Sequence, residues 1–66
     1  MHIQLNGERR ELASQLTISE LVDQLALTGR RIAIEVNEEI VPRSQHAETR
    51  LSPGDRVEIV HAIGGG

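Results

Sequence analysis

Apolar residues recur along this chain with two periods, and the alternation between them outlines the fold. Residues 2–5, His-Ile-Gln-Leu, alternate polar and apolar, which predicts a half-buried strand. Asn6-Gly7 follows, a strong hairpin signal. The return strand, over about residues 9–13, offers only Leu12 to an apolar face. Setting Ile3 opposite Leu12 joins the two apolar faces and leaves residues 6–9 in the turn, whereas a two-residue loop would set Leu12 opposite Met1. The apolar pattern favours the first register.

The period then changes. Thr17 followed by Glu20 forms a capping-box pattern, and Leu16 with Leu21 occupies the two positions of a hydrophobic staple. Ile18, Leu21, Val22 and Leu25 recur at helical spacing and make one core-facing stripe. Gly29 supplies a stop, with Arg30 and Arg31 just beyond the negative end of the helix dipole.

Alternation returns over residues 32–37, where Ile32, Ile34 and Val36 share a face. Asn37-Glu38-Glu39 reads as a turn, and Ile40-Val41 as a short strand ended by Pro42, which has no donor for a ladder. Residues 43–50 are polar and irregular, with room for one helical turn. Ser52-Pro53-Gly54-Asp55 carries Pro then Gly at the central positions of a type II turn. The last strand covers residues 56–62, with Val57 and Ile59 facing one way and Val60 and Ala62 the other. The expected architecture is α+β: a small mixed five-stranded sheet with one main helix packed across it.

Composition narrows what such a domain can do. The chain has 66 residues, so residues 1–66 form a single domain, which at this size buries only about 60% of the surface its unfolded chain exposes. Phe, Trp, Tyr and Cys are all absent. The core must therefore be aliphatic, no disulfide supports it, and no thiol chemistry is available. His2, His46 and His61 are scattered without paired ligand spacing, so no metal site is expected. A formal charge of −3 with mixed signs, and no aromatic to stack a base, argues against nucleic-acid binding. No apolar run approaches the ~20 residues of a membrane span, and the N-terminus lacks a signal-peptide pattern, so a cytoplasmic protein is the default. The apolar side chains are all needed to close the core. A carrier or partner-binding role therefore fits better than a self-contained enzyme.

Ile63-Gly64-Gly65-Gly66 stands out against this background. A glycine run at a chain end reads either as a passive terminus or as a flexible tail, residues 63–66, able to thread a narrow channel in another protein because it has no Cβ. On the second reading Gly66 carries the chemistry on its carboxylate. Val60 and Ala62 read either as a docking patch or as ordinary exposed apolar residues. Arg30-Arg31 and Glu38-Glu39 read as solvated turn charges, and His61 as a strand-end residue.

Val36-Asn37-Glu38-Glu39-Ile40-Val41-Pro42-Arg43, together with the segment from Asp55 through His61-Ala62-Ile63 to Gly64-Gly65-Gly66, resembles the ThiS/MoaD family of sulfur carriers, on the ThiS side, with a ubiquitin-like β-grasp fold. The resemblance covers the whole chain and departs at His46, where some members carry Trp. It implies that a ThiF-type adenylating enzyme, using ATP and magnesium, joins the Gly66 carboxylate to AMP. Sulfur originating from a cysteine desulfurase then gives a thiocarboxylate at Gly66. Thiazole synthase, ThiG, receives that sulfur for thiamine biosynthesis. The family's functional residues carry over to Gly65 and Gly66; Gly64 and Gly65 would supply reach, and on the docking reading Ile63, Val60 and Ala62 would contact partners. The chain itself would hold no cofactor and act as a cosubstrate. A carrier of another pathway, such as MoaD-like molybdopterin synthesis, or a ubiquitin-like modifier joined to target lysines, shares the glycine end.

Overall fold

The computed structural model describes residues 1–61. The elements run β1 (His2–Leu5), β2 (Glu8–Glu11), α1 (Ile18–Gln24), β3 (Ile32–Val36), β4 (Glu39–Ile40), one 3-10 turn (Arg43–Gln45) and β5 (Arg56–His61). They form one sheet in the order β2-β1-β5-β3-β4. β5 lies in the middle, parallel to β1 and antiparallel to β3. This is the α+β, ubiquitin-like β-grasp arrangement expected from the sequence: a five-stranded mixed sheet and one helix.

The core is aliphatic. Ile18, Leu21 and Val22 of α1 pack with Ile3, Ile34, Val57 and Ile59 of the sheet, and Leu12, Leu16 and Leu51 complete the cluster. Full burial of each such side chain stabilises by about 1.5–3 kcal/mol. The staple residues Leu16 and Leu21 are both core members.

The helix N-terminus accounts for the irregular segment before β5. An α-helix opens with four backbone donors that lack intrahelical partners. Here Ile18 N donates to Thr49 O at 2.9 Å and Ser19 N to His46 O at 3.1 Å. Glu20 N donates to Thr17 Oγ1 at 3.2 Å, and Leu21 N makes the first intrahelical bond, to Thr17 O at 3.0 Å. Thr17 N in turn donates to Glu20 Oε1 at 2.9 Å, closing the capping box. Residues 46–49 are thus tied down by the helix. His46 is buried, and its Nε2 donates to Val41 O at 2.9 Å. His46 therefore has a structural task.

Three expectations need correction. The turn after β3 is Asn37-Glu38, so β4 is Glu39–Ile40 rather than Ile40-Val41, with Val36 opposite Glu39. The hairpin register sets Ile3 opposite Arg10 and Leu5 opposite Glu8, and Leu12 meets Met1, with Leu12 N donating to Met1 O at 2.8 Å. The return strand is Glu8–Glu11 rather than 9–13, and all four of its residues are exposed. Turn chemistry outweighs apolar pairing. Asn6 at φ 50° and Gly7 at φ 83° make a two-residue loop whose twist matches the strands, and Leu12 reaches the core from just beyond β2.

The helix also ends earlier than Gly29. Leu25 is its C-cap. Ala26 is left-handed at φ 59°; Ala26 N donates to Asp23 O and Leu27 N to Val22 O, both at 3.0 Å, which is the bond pattern of a Schellman cap. Gly29, at φ 83°, belongs to a second turn closed by Arg30 N donating to Leu27 O. Leu25 and Leu27 are half-buried and pack against the core. Seating them is the gain that sets against the strain at Ala26.

Candidate functional site

Of the residues singled out in the sequence, Ala62, Ile63, Gly64, Gly65 and Gly66 lie outside the described residues. What the structure does place is the strand that leads to them. β5 pairs with β3 through five positions, from Val36 opposite Val57 to Ile32 opposite His61. With β1 it pairs at only two, Gln4 opposite Arg56 and Leu5 opposite Val57. Beyond Val57, β1 has ended and one side of β5 has no neighbouring strand.

Asn6 fills that gap. Its backbone N donates to Val57 O at 2.9 Å. Its side chain then meets both backbone groups of Ile59: Ile59 N donates to Oδ1 at 2.8 Å and Nδ2 donates to Ile59 O at 3.2 Å. A carboxamide carries one acceptor and one donor group in the geometry of a peptide, so Asn6 extends the ladder without extending the strand. Positive φ at this residue, tolerated better by Asn than by most, is what turns the side chain back onto β5.

A second asparagine holds the start of the same strand from the β3 side. Asn37 N donates to Arg56 O at 2.7 Å, Arg56 N donates to Asn37 Oδ1 at 3.0 Å, and Asn37 Nδ2 donates to Asp55 Oδ1 at 3.0 Å. Asp55 Oδ2 also accepts from Ser52 N at 2.8 Å, closing the Pro-Gly turn. Sequence reading found both asparagines only as turn residues. The cue to more was that each sits at a turn beside a strand end, but which strand it would meet depends on topology.

The faces of β5 differ. Val57 and Ile59 are buried under α1, while Val60 is 56% exposed on the opposite face, paired with exposed Ala33. Ile40, set against Glu35 on that same open face, is 72% exposed. On the helix side, an open cleft of about 300 Å³ adjoins the end of β5, lined by Leu5, Asn6, Leu25, Leu27, Ile59 and His61. His61 is exposed and reaches no carboxylate within salt-bridge range among the described residues. Among those residues, no group of three or more His, Cys, Asp or Glu side chains could hold a metal ion, and no helix is long and apolar enough to cross a membrane.

The arrangement is a small rigid body in which a central strand is clamped near both ends and carries its last residues to the edge of the sheet. Such a frame can present the segment that follows β5 to another protein.

Comparison with known proteins bears on what is presented. The model of the ThiS family matches residues 3–66. The sulfur carrier protein ThiS of Escherichia coli (strain K12) is 33% identical over 66 residues, covering all of both chains. A protein named thiazole synthase from Paramagnetospirillum magneticum is 41% identical over 66 residues, all of this chain but only 20% of its own length. The chain thus spans about a fifth of that relative. The crystal structure of the thiamine biosynthesis protein ThiS from Geobacter metallireducens superposes with a TM-score of 0.88 at 28% identity, covering all of both chains.

Proposed function

The chain belongs to the ThiS family, and on that premise we propose that it is a sulfur carrier of thiamine biosynthesis, acting in the cytoplasm on the carboxylate of Gly66. The observation that carries this reading is a family match that runs through the glycines to residue 66, on a frame whose central strand leads directly to them.

An α-carboxylate is ionised near neutral pH, with an ordinary pKa of about 3.3–3.7, and in that state is a poor electrophile. A ThiF-type partner overcomes this with ATP and magnesium: a Gly66 carboxylate oxygen bonds to the α-phosphorus and pyrophosphate leaves. A persulfide supplied through a cysteine desulfurase then bonds to the acyl carbon and AMP leaves. A second thiol cleaves the resulting acyl disulfide, leaving as a disulfide with the donor sulfur and freeing the thiocarboxylate. Covalent activation splits one hard substitution into two easier ones. Thiazole synthase, ThiG, takes the sulfur. The thiazole synthase relative contains a segment like this chain, which favours thiazole formation over molybdopterin synthesis or protein tagging. Gly64 and Gly65 give reach without side chains to obstruct a channel. Ile63, Ala62 and the exposed Val60 offer the partners apolar contact.

Intact mass after incubation with ATP, magnesium, the adenylating enzyme and a sulfur donor should rise by the difference between sulfur and oxygen. Deleting Gly66 should abolish that rise while the thermal melt stays unchanged. An unchanged mass for the full chain with a competent partner would refute the reading.

A further inference from the structure

The antiparallel register between β3 and β5 ends at Ile32 opposite His61. Arg30 and Arg31 immediately precede Ile32, so they stand at the end of the sheet where β5 ends. A third cation joins them from a distant part of the chain: Arg43 Nη2 donates to Arg30 O at 2.8 Å. All three residues are exposed. The ion pairs found among the described residues are Arg9 with Glu11 and Arg56 with Glu38, so none of these three arginines is neutralised there. The protein as a whole carries a formal charge of −3 with only seven basic residues. Gathering three of them at one end of one strand runs against its net charge.

From this juxtaposition we propose that Arg30, Arg31 and Arg43 form a basic docking rim that engages a carboxylate-bearing protein surface around the channel admitting the tail. The inference rests on the carrier reading and names what the partner must present. Charges at the border of an interface chiefly raise the rate of encounter and select the partner, and their effect fades as salt shortens the Debye length to a few ångströms. Arg30 and Arg43 border a cleft shared with Val22, Leu27 and Ile32 on the helix side of the sheet, so the apolar contact these charges flank lies there and not at Val60 on the open face. Arg30 and Arg31 also set the register of docking, because each offers a planar fork to a carboxylate, while Arg43 is anchored through Nη2 on Arg30 O and adds its charge.

The test is ATP–pyrophosphate exchange by the adenylating enzyme, with this chain as the varied substrate. The Arg30→Glu/Arg31→Glu protein should show a KM for the carrier raised about tenfold or more, with kcat and the KM for ATP unchanged, as expected for lost steering. Arg30→Gln/Arg31→Gln should show a smaller rise in the same direction, and both variants should keep the wild-type melting curve. The control is Arg9→Glu/Arg10→Glu on β2 at the far edge of the sheet, which changes net charge equally and should leave KM within about twofold. Wild-type KM should climb from about 0.05 to 0.5 M salt and the charge-reversed protein should lose that dependence. A KM that the Arg30/Arg31 variants leave unchanged, or that the β2 control raises as much, overturns this inference alone. A change confined to the KM for ATP would mean that the arginines meet nucleotide phosphate, and would also overturn it. No exchange at all with wild-type chain would overturn the carrier reading and this inference with it.

Discussion

The two tight turns, Asn6-Gly7 and Asn37-Glu38, put an asparagine side chain to similar use from opposite sides of β5. Both asparagines have positive φ, at 50° and 51°. Both aim a carboxamide at β5: Asn6 at the two backbone groups of Ile59, Asn37 at Arg56 N and the Asp55 carboxylate. They differ in what surrounds the bond. Arg56 already pairs with Gln4 of β1 and also receives a backbone bond from Asn37, and Asp55 helps to hold the turn before it. Ile59 has β3 on one side and only Asn6 on the other. The second residue differs too, with Gly7 at no steric cost and Glu38 forced to φ 71°. A strand can therefore outrun its neighbour and stay fixed, provided one side chain of peptide geometry replaces the missing ladder.

Asn6→Ala should be the most damaging change of this group. It removes two hydrogen bonds worth about 1 kcal/mol each and leaves a left-handed Ala. A loss of about 2–3 kcal/mol in urea unfolding is expected, from a total that chains of this size keep near 3–10 kcal/mol. Asn37→Ala removes as many side-chain bonds from a better-supported place and should cost about 1–2 kcal/mol. If the two losses prove equal, the flanking strands add nothing and the comparison fails.

Relief of backbone strain gives smaller effects of opposite sign. Ala26→Gly, at φ 59°, should raise stability by about 1 kcal/mol, seen as a melting point higher by roughly 4–8 °C. Glu38→Gly should gain less, about 0.5 kcal/mol, because it also removes the exposed ion pair with Arg56. A loss in either variant would mean that the side chain matters more than the dihedral.

The mildest effect lies in the helix cap, which touches neither turn. Hydrogen bonds from Thr17, the backbone N first and then the side chain, hold the Glu20 carboxyl below its usual 4.5. A carboxyl lowered in the folded state stabilises it above the ordinary value and loses that contribution as pH falls through the folded one. Wild-type stability should therefore drop more than that of Glu20→Gln between about pH 5 and pH 3, measured as the shift of the urea midpoint. Equal slopes would show that the capping box is not held in solution.

Local chemistry was legible wherever neighbours in sequence are the partners. Thr17 and Glu20 announce the helix start because both halves of the box lie within one turn. Pro53-Gly54 announces its turn because φ is set residue by residue, and Gly54 stands at 84°. At the hairpin two local signals compete, a single apolar residue against the Asn-Gly turn, and backbone twist prevails. The helix stop at Ala26 carried no signal. Ala is a strong helix former, and only the burial of Leu25 and Leu27 against the sheet ends the helix there.

The sequence by itself determined the α+β class, the aliphatic core and the existence of the turns. Those follow from periodicity and local dihedral preference, which act over a few residues. Tertiary structure alone decided that β5 sits in the centre of the sheet, that Asn6 reaches Ile59 across 53 positions of sequence, and that Arg43 joins Arg30 and Arg31 where the strand ends. Such contacts depend on which strand lies beside which, and no short-range pattern encodes that. The support of β5 was therefore hidden until the chain was folded, while the glycine run beyond it stands plainly in the sequence.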